Sequence, residues 1–326
     1  MEYIDISGWE SKVSSTRGTR DKKVVFSPED GSVYFMKFPM VRDGRDYSME
    51  TWSEIIAYEI GIVLGFHVLK YDFAVRDGRP GCISRSMVEG DCSSLVEGDS
   101  ILSAFDPTYD PNDKEMYNKY TFSFVMDALD KQGMGEWKKE FVRMLLFDAV
   151  IGNSDRHQGN WGFVRQTTTG QTQERRIFRR KPKECTSVKN TFTPIYDSGC
   201  CLGREFSEEQ ILQRLQDRNK MMSYINKGLA ELRTDEKPDK KVSHFELLEH
   251  IIHKDEWKVF LTEEINGLLS RYDKGQITRI IGNIDTPIPE DKRRTFGMSD
   301  NRKRFIVEVI DIRINKLKSI CHEAKD

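Results

Sequence analysis

The segment Ile151–Phe163, IGNSDRHQGNWGF, is the most informative stretch of the chain. It follows Glu136–Ile151, an apolar helix pattern in which Phe141, Leu145, Phe147 and Ala149 take the buried positions. Gly, Asn and Asp then crowd together, which marks a tight loop. Within that loop Asp155 and Asn160 stand five apart, with His157 between them. Downstream, PIYDSG at Pro194–Gly199 sets Asp197 at the end of a β-type run and close to a glycine. Upstream, Lys37 sits in the β-rich run Ser32–Phe38, with Phe38 directly after it.

Phosphoryl transfer needs this set of groups. One carboxylate accepts or orients the attacking hydroxyl. An Asn and a second carboxylate hold the metal that bridges the phosphates, and a strand lysine neutralises phosphate charge. Lys37, Asp155, Asn160 and Asp197 fill these places in the order lysine, D-x-x-x-x-N, D-x-G, with a helix acid between the lysine and the first loop. A lone D-x-H-x-x-N is only a hint, because Asp and Asn also cap turns for purely structural reasons. The combination carries the reading.

Working outward, Val24–Phe26 and Ser32–Phe38 flank Pro28, Asp30 and Gly31, a hairpin signal. The stretch TWSEIIAYEIGIVLG predicts a helix. Trp52, Ile55, Ile56, Ile60, Val63 and Leu64 recur at helical spacing, and Gly65 is its terminator. Two further strands surround the Asp77-Gly78 turn. Residues 89–119 read as turn-rich and acidic, without assigned structure. Helices are expected after Asn118, at Glu136–Ile151, Ser207–Leu232, His244–Tyr272 and Asn301–His322. In the last, Ile306, Ile310, Ile314, Leu317 and Cys321 form one buried stripe. The pattern is α+β: a small β-rich lobe over residues 1–88 with one helix, then a larger helical lobe over 89–326.

Composition limits the alternatives. The chain has 326 residues, with 51 Lys and Arg against 53 Asp and Glu, a net charge of −2. No global positive field would gather nucleic acid. No apolar run approaches a membrane span, and the acidic start MEYIDISGWE has no apolar signal region. The 6 cysteines form no C-x-x-C pair, so reduced thiols and a cytoplasmic location are expected, with translocation without a cleavable signal left open.

GNSDRHQGNWGF and PIYDSG closely resemble the HipA-like serine/threonine kinases, most of all their short CtkA-type branch. VYFMKFP and WSEIIAYEIGIVLG extend the likeness upstream. The resemblance implies a two-lobed protein-kinase-like fold and ATP- and Mg-dependent phosphorylation of a serine or threonine on a protein substrate. It makes Asp155 the catalytic aspartate, Asn160 and Asp197 the magnesium ligands, Lys37 the ATP-phosphate lysine and His157 a loop histidine near the nucleotide. Adenine would lie against the connector near Arg85–Val88, touching Arg85 and Met87. Longer family members carry an additional N-terminal region that this sequence does not show. Contacts made there, a DNA-binding antitoxin among them, are therefore not carried over.

Several positions stay open at this level. The family pattern points to Glu54 as the lysine's partner. Helical periodicity instead puts Glu59 amid the apolar stripe, where a buried acid needs a partner. Glu54 is preferred, since Ala57 and Gly61 on its side let the helix approach the nucleotide. Between Trp9 and Val24 the chain has one glycine and matches neither phosphate-loop motif. Its hydroxyls and N–H groups, with Ser15, Thr16, Arg17 and Gly18 foremost, still offer a phosphate nest. By resemblance, Ser14, Ser15 or Thr16 is expected to be autophosphorylated. The basic run Glu174–Lys189 reads as a solvated hairpin tip, or as a grip for an acidic substrate or RNA bound to one. Arg156 either orients the loop or meets a phosphate. His244, His250 and His253 read as partly buried helix residues. Two other functions share these loops: a phosphoinositide-type lipid kinase, and a nucleotide-binding pseudokinase acting as a regulatory module.

Overall fold

The computed structural model describes residues 1–12, 22–39, 41–42, 45–172 and 183–323. The first part is built on β1 (Tyr3–Asp5), β2 (Glu10–Lys12), β3 (Lys22–Phe26) and β4 (Val33–Lys37). Two-residue strands β5 (Val41–Arg42) and β6 (Arg45–Asp46) lead into α1 (Met49–Leu64). Strands β7 (Asp72–Arg76) and β8 (Arg79–Arg85) complete a sheet of order β1-β7-β8-β4-β3-β2 among the described residues. The β3–β4 hairpin turns at Gly31 (φ 68°), where Asp30 Oδ1 accepts the Ser32 N–H at 3.0 Å. Asp77 and Gly78 are both left-handed, the signature of a two-residue turn matched to strand twist.

Strand alternation sorts the two faces of this sheet. Ile6, Val25, Met36, Phe38, Ala74 and Ile83 form a small outer core. The inner face meets α1, buried on nearly every side: Thr51 to Ala57, Ile60, Gly61 and Leu64 are all inaccessible. At its end Gly65 N–H bonds Ile62 O (3.1 Å) and Phe66 N–H bonds Gly61 O (2.8 Å), a Schellman stop. Gly65 has φ 84°, and a Cβ there would lie 2.8 Å from Arg271 Nε.

The remainder is mainly helical. The stretch read as turn-rich contains β9 (Ser93–Glu97), α2 (Gly98–Phe105) and a 3-10 helix, Lys114–Lys119. Next come α3 (Phe122–Lys131) and α4 (Lys138–Ile151), the latter buried from Phe141 onward except at Arg143. β10 (Gly162–Thr172) pairs with β9 and with β11 (Lys183–Phe192), with Phe163 opposite Phe192. Most of the basic tip lies outside the described residues.

The helix expected over Ser207–Leu232 is two helices, α5 (Glu208–Gln216) and α6 (Arg218–Lys227). Asp217 breaks it: its backbone is extended, and its carboxylate caps Asn219 and Lys220 N–H. His244–Tyr272 divides likewise into α7 (His244–Ile252) and α8 (Asp255–Arg271) at the extended Lys254. After α9 (Lys274–Gly282) and α10 (Glu290–Phe296), α11 (Asp300–Glu323) buries Ile306, Ile310, Ile314, Leu317 and Cys321 as its spacing predicts. Each such aliphatic side chain contributes about 1.5–3 kcal/mol by leaving water. No helix among the described residues is long and apolar enough to cross a membrane.

Candidate active site

A cleft of about 1030 Å3 runs between the six-stranded sheet and the helical part. Lys37, Met87, Asp155, His157, Asn160 and Asp197 line it. Arg85 does not. Phe35 and its cross-strand partner Ser84 line the cleft, so the period-2 alternation turns Arg85 to the other face. There it is exposed and pairs with Glu89 at 3.2 Å. The expectation that Arg85 touches adenine is corrected accordingly. Ser14, Ser15, Thr16, Arg17 and Gly18 lie outside the described residues.

Lys37 reaches the cleft because Met36, its neighbour, fills the outer core. Its Nζ donates to Glu54 Oε1 at 2.8 Å, Tyr71 OH at 3.0 Å and Asp197 Oδ1 at 3.2 Å. Burial by itself would lower the lysine's pKa, but Asp197 and then Glu54 more than offset this and hold it well above the ordinary value. Glu54 is 2% exposed, and its Oε2 accepts the Ser198 N–H at 2.8 Å. Glu59 instead meets the Met1 amino group. Gly61 serves packing rather than the cleft: a Cβ there would lie 2.4 Å from Val68 Cγ2.

Asp197 follows a β-bridge that ties Ile195 to Val68, with Ile195 N–H bonded to His67 O at 2.8 Å. Its φ of 56° is left-handed, a conformation that costs a non-glycine residue about 1 kcal/mol or more and is concentrated at functional sites. The following residues are stitched to α1. Ser53 Oγ donates to Cys201 O at 3.1 Å, and Arg204 pairs with the buried Glu50.

In the Asp155 loop, Asp155 N–H donates to Asn153 Oδ1 (3.3 Å), and Cys200 Sγ–H donates to Asp155 Oδ2 (3.3 Å). Asn160 Nδ2 donates to Asp155 O at 2.7 Å, which commits the amide nitrogen inward and leaves Oδ1 as the end that can meet a cation. His157 is exposed at the rim, and its Nδ1 accepts Gly159 N–H at 3.1 Å.

Arg156 orients the loop and cannot reach a phosphate, since it is 2% exposed. Its Nε and Nη2 fork onto Asp148 Oδ2 and Oδ1, both at 2.9 Å. Nη1 donates to Asn160 O (2.7 Å) and Tyr196 O, and Nη2 to Ser198 Oγ (3.3 Å). One buried guanidinium thus joins the Asp155 loop to the Asp197 segment. Burial works against its charge, and Asp148 more than compensates, raising its pKa.

Sequence reasoning missed Asp148, Tyr71, Cys200 and the Glu50–Arg204 pair. Asp148 did carry a signal: a carboxylate inside the run LLFDAVI must find a partner.

No family model matches the chain. The serine/threonine-protein kinase CtkA of Helicobacter pylori (strain J99) is 26% identical over 204 residues, 61% of this chain and 51% of CtkA. The sequence match therefore spans about half the length of that relative. The crystal structure of a Helicobacter pylori proinflammatory kinase CtkA superposes with a TM-score of 0.75 at 22% identity, over 98% of this chain and 97% of that one. A chain of the Shewanella oneidensis MR-1 complex of HipA, HipB and operator DNA gives only 0.42 at 14% identity, over 95% of this chain and 65% of that one. The chain is a relative of CtkA and has the two-lobed, kinase-like α+β fold of that protein.

Proposed function

We propose that the chain is an ATP- and magnesium-dependent serine/threonine protein kinase, with residues 1–88 as its N-lobe and 89–326 as its C-lobe. One observation carries this reading. Lys37, held by Glu54, meets Asp197 in the cleft that Asp155 and Asn160 also line.

In this account adenine lies toward Met87, among Phe35, Leu69 and Leu95. Lys37 neutralises phosphate charge, and Glu54 fixes its direction. Magnesium is ordinarily held by one or two carboxylates together with substrate phosphates. The Asp197 carboxylate and Asn160 Oδ1 fit that donor set. When bound, the ion neutralises charge that develops on the transferring phosphoryl group. His157, at the rim, is near the nucleotide.

Asp155 accepts a hydrogen bond from the acceptor serine or threonine hydroxyl and points its oxygen at the γ-phosphorus. The P–O bond to ADP breaks as the bond to the acceptor forms, and Asp155 takes the proton as that bond matures. Autophosphorylation on Ser14, Ser15 or Thr16 is part of the proposal. The Asp197→Ala variant tests the metal assignment: ATP affinity should drop in the presence of magnesium and change little in its absence. Equal affinity of variant and wild type with magnesium would refute it.

A further inference from the structure

We infer that His244, on α7, is a positioning residue for the Asp155 loop, braced from behind by Arg313 of α11. The inference rests on the kinase reading for its activity arm only.

His244 is 2% exposed and Arg313 is 1% exposed. The His244 Nε2 atom lies 2.6 Å from Asn153 O, and Nδ1 lies 3.2 Å from Arg313 Nη2. A carbonyl only accepts and a guanidinium only donates. One form of the ring satisfies both: neutral imidazole with its proton on Nε2 and its lone pair on Nδ1. Gly228 O, also 3.2 Å from Nδ1, then faces an unprotonated nitrogen and adds no bond.

Arg313 fixes this tautomer and is itself fixed. Its Nε donates to Ala149 O at 2.6 Å and Nη1 to Ile225 O at 3.4 Å. Both carbonyls belong to last turns, of α4 and α6, where helix ends carry partial negative charge. The Phe245 ring lies 5.0 Å from its Cζ. Two helix ends thus hold Arg313 in place, but unlike Asp148 beside Arg156 they do not offset its burial, which lowers the Arg313 pKa to about 10.

The chain of contacts ends at the reacting group. Asn153, gripped through its carbonyl by His244, uses its own side chain in both directions. Nδ2 donates to Asp148 Oδ1 (3.0 Å), and Oδ1 accepts Asp155 N–H. Arg156 and Asp148 hold the loop against the Asp197 segment; His244 and Arg313 hold it against the helical core. His244 is absent from the cleft lining, so it acts only through Asn153.

The experiment uses the full chain with His244→Gln, His244→Asn and His244→Leu. Glutamine can donate to Asn153 O and accept from Arg313. Asparagine is polar but too short to span both, and leucine can do neither. Melting temperature, kcat, KM for ATP, and hydrogen–deuterium exchange of residues 152–161 are read for each. His244→Gln should stay within about threefold of wild type. His244→Asn and His244→Leu should lose about tenfold to a hundredfold in kcat, with KM for ATP within about twofold and faster exchange at 152–161. If leucine prevents folding, the asparagine–glutamine contrast decides. Wild-type kcat in a folded His244→Asn or His244→Leu variant, even with a lowered melting temperature, would overturn the inference. So would glutamine failing as badly as the others, or unchanged loop exchange. If wild type transfers no phosphate, the kinase reading falls, and the exchange contrast still decides whether His244 holds the loop.

Discussion

Replacing Arg156 with methionine should separate stability from activity when it is paired with a change at Asp148. Both side chains of this pair are 2% exposed. Removing the guanidinium leaves the Asp148 carboxylate buried and uncompensated, a loss of about 3–5 kcal/mol. At roughly 2 °C per kcal/mol for a chain this large, the melting temperature should fall by about 6–10 °C. Adding Asp148→Leu removes the orphaned charge. It leaves Asn153 Nδ2 without its acceptor, and Asn160 O and Tyr196 O remain without the donor lost with Arg156; at about 1 kcal/mol each, the double variant should regain only part of the loss and sit about 3 kcal/mol below wild type. Activity should not return with it. Asn160 O, Tyr196 O and Ser198 Oγ have lost their common donor in both variants, and the Asp155 and Asp197 segments are no longer joined. Thermal unfolding and a phosphoryl-transfer assay on the same preparations measure the two effects. The reasoning is refuted if Arg156→Met alone melts like wild type, or if the double variant recovers full transfer.

The remaining predictions follow the same contacts. Glu54→Gln should reduce phosphoryl transfer by about tenfold or more, because Lys37 loses one of its two carboxylates; Glu59→Gln, on the other side of α1, should leave the rate near wild type, and equal effects would contradict the pairing. Cys200→Ala should lower kcat about threefold to tenfold by removing the donor to Asp155 Oδ2, whereas Cys200→Ser should retain most of it; an alanine variant with wild-type kcat would show the thiol to be irrelevant. Burial first, then Arg313, lowers the His244 pKa from 6.5 to about 4, with the hydrogen bond to the Asn153 backbone and then Asp148 opposing. The unfolded chain therefore takes up this proton before the folded one. The stabilisation is complete above pH 6.5 and is lost as pH falls toward 4, by about 3 kcal/mol in all. Urea unfolding at pH 7 and pH 4.5 should show a shallower loss in His244→Gln than in wild type; parallel slopes would contradict the assignment.

The meeting of Lys37, Asp155, Asn160 and Asp197 in one cleft was legible where the sequence pattern is local. Asp155, Asn160 and Asp197 stand in short loops whose spacing survives folding, and Lys37 sits in a strand whose alternation decides its face. Glu54 was harder, because periodicity marks one apolar stripe and α1 has almost no exposed side. A polar group on such a helix is as buried as its apolar neighbours, and only the partner reveals which acid is used. The Arg85 expectation failed for the complementary reason: proximity along the chain to Met87 ignored the period-2 turn of β8. Residues 93–105 were opaque because SSLVE is short and serine-rich. It becomes a strand through pairing with β10, from Gly162 opposite Glu97 to Gln166 opposite Ser93. Helix α2 opens on Gly98, where a Cβ would lie 2.3 Å from the Trp161 ring. The Arg156–Asp148 and Arg313–His244 pairs depend on contacts between distant elements, which no spacing rule reports.

Transfer of label from γ-labelled ATP, compared between wild type and Asp155→Asn under equal magnesium, tests the central claim most directly. Wild type should label itself or a protein acceptor on serine or threonine. Asp155→Asn, folded and still binding ATP with magnesium, should incorporate none. Labelling of the variant at the wild-type rate, or a wild type that binds ATP and never transfers phosphate, would contradict the account.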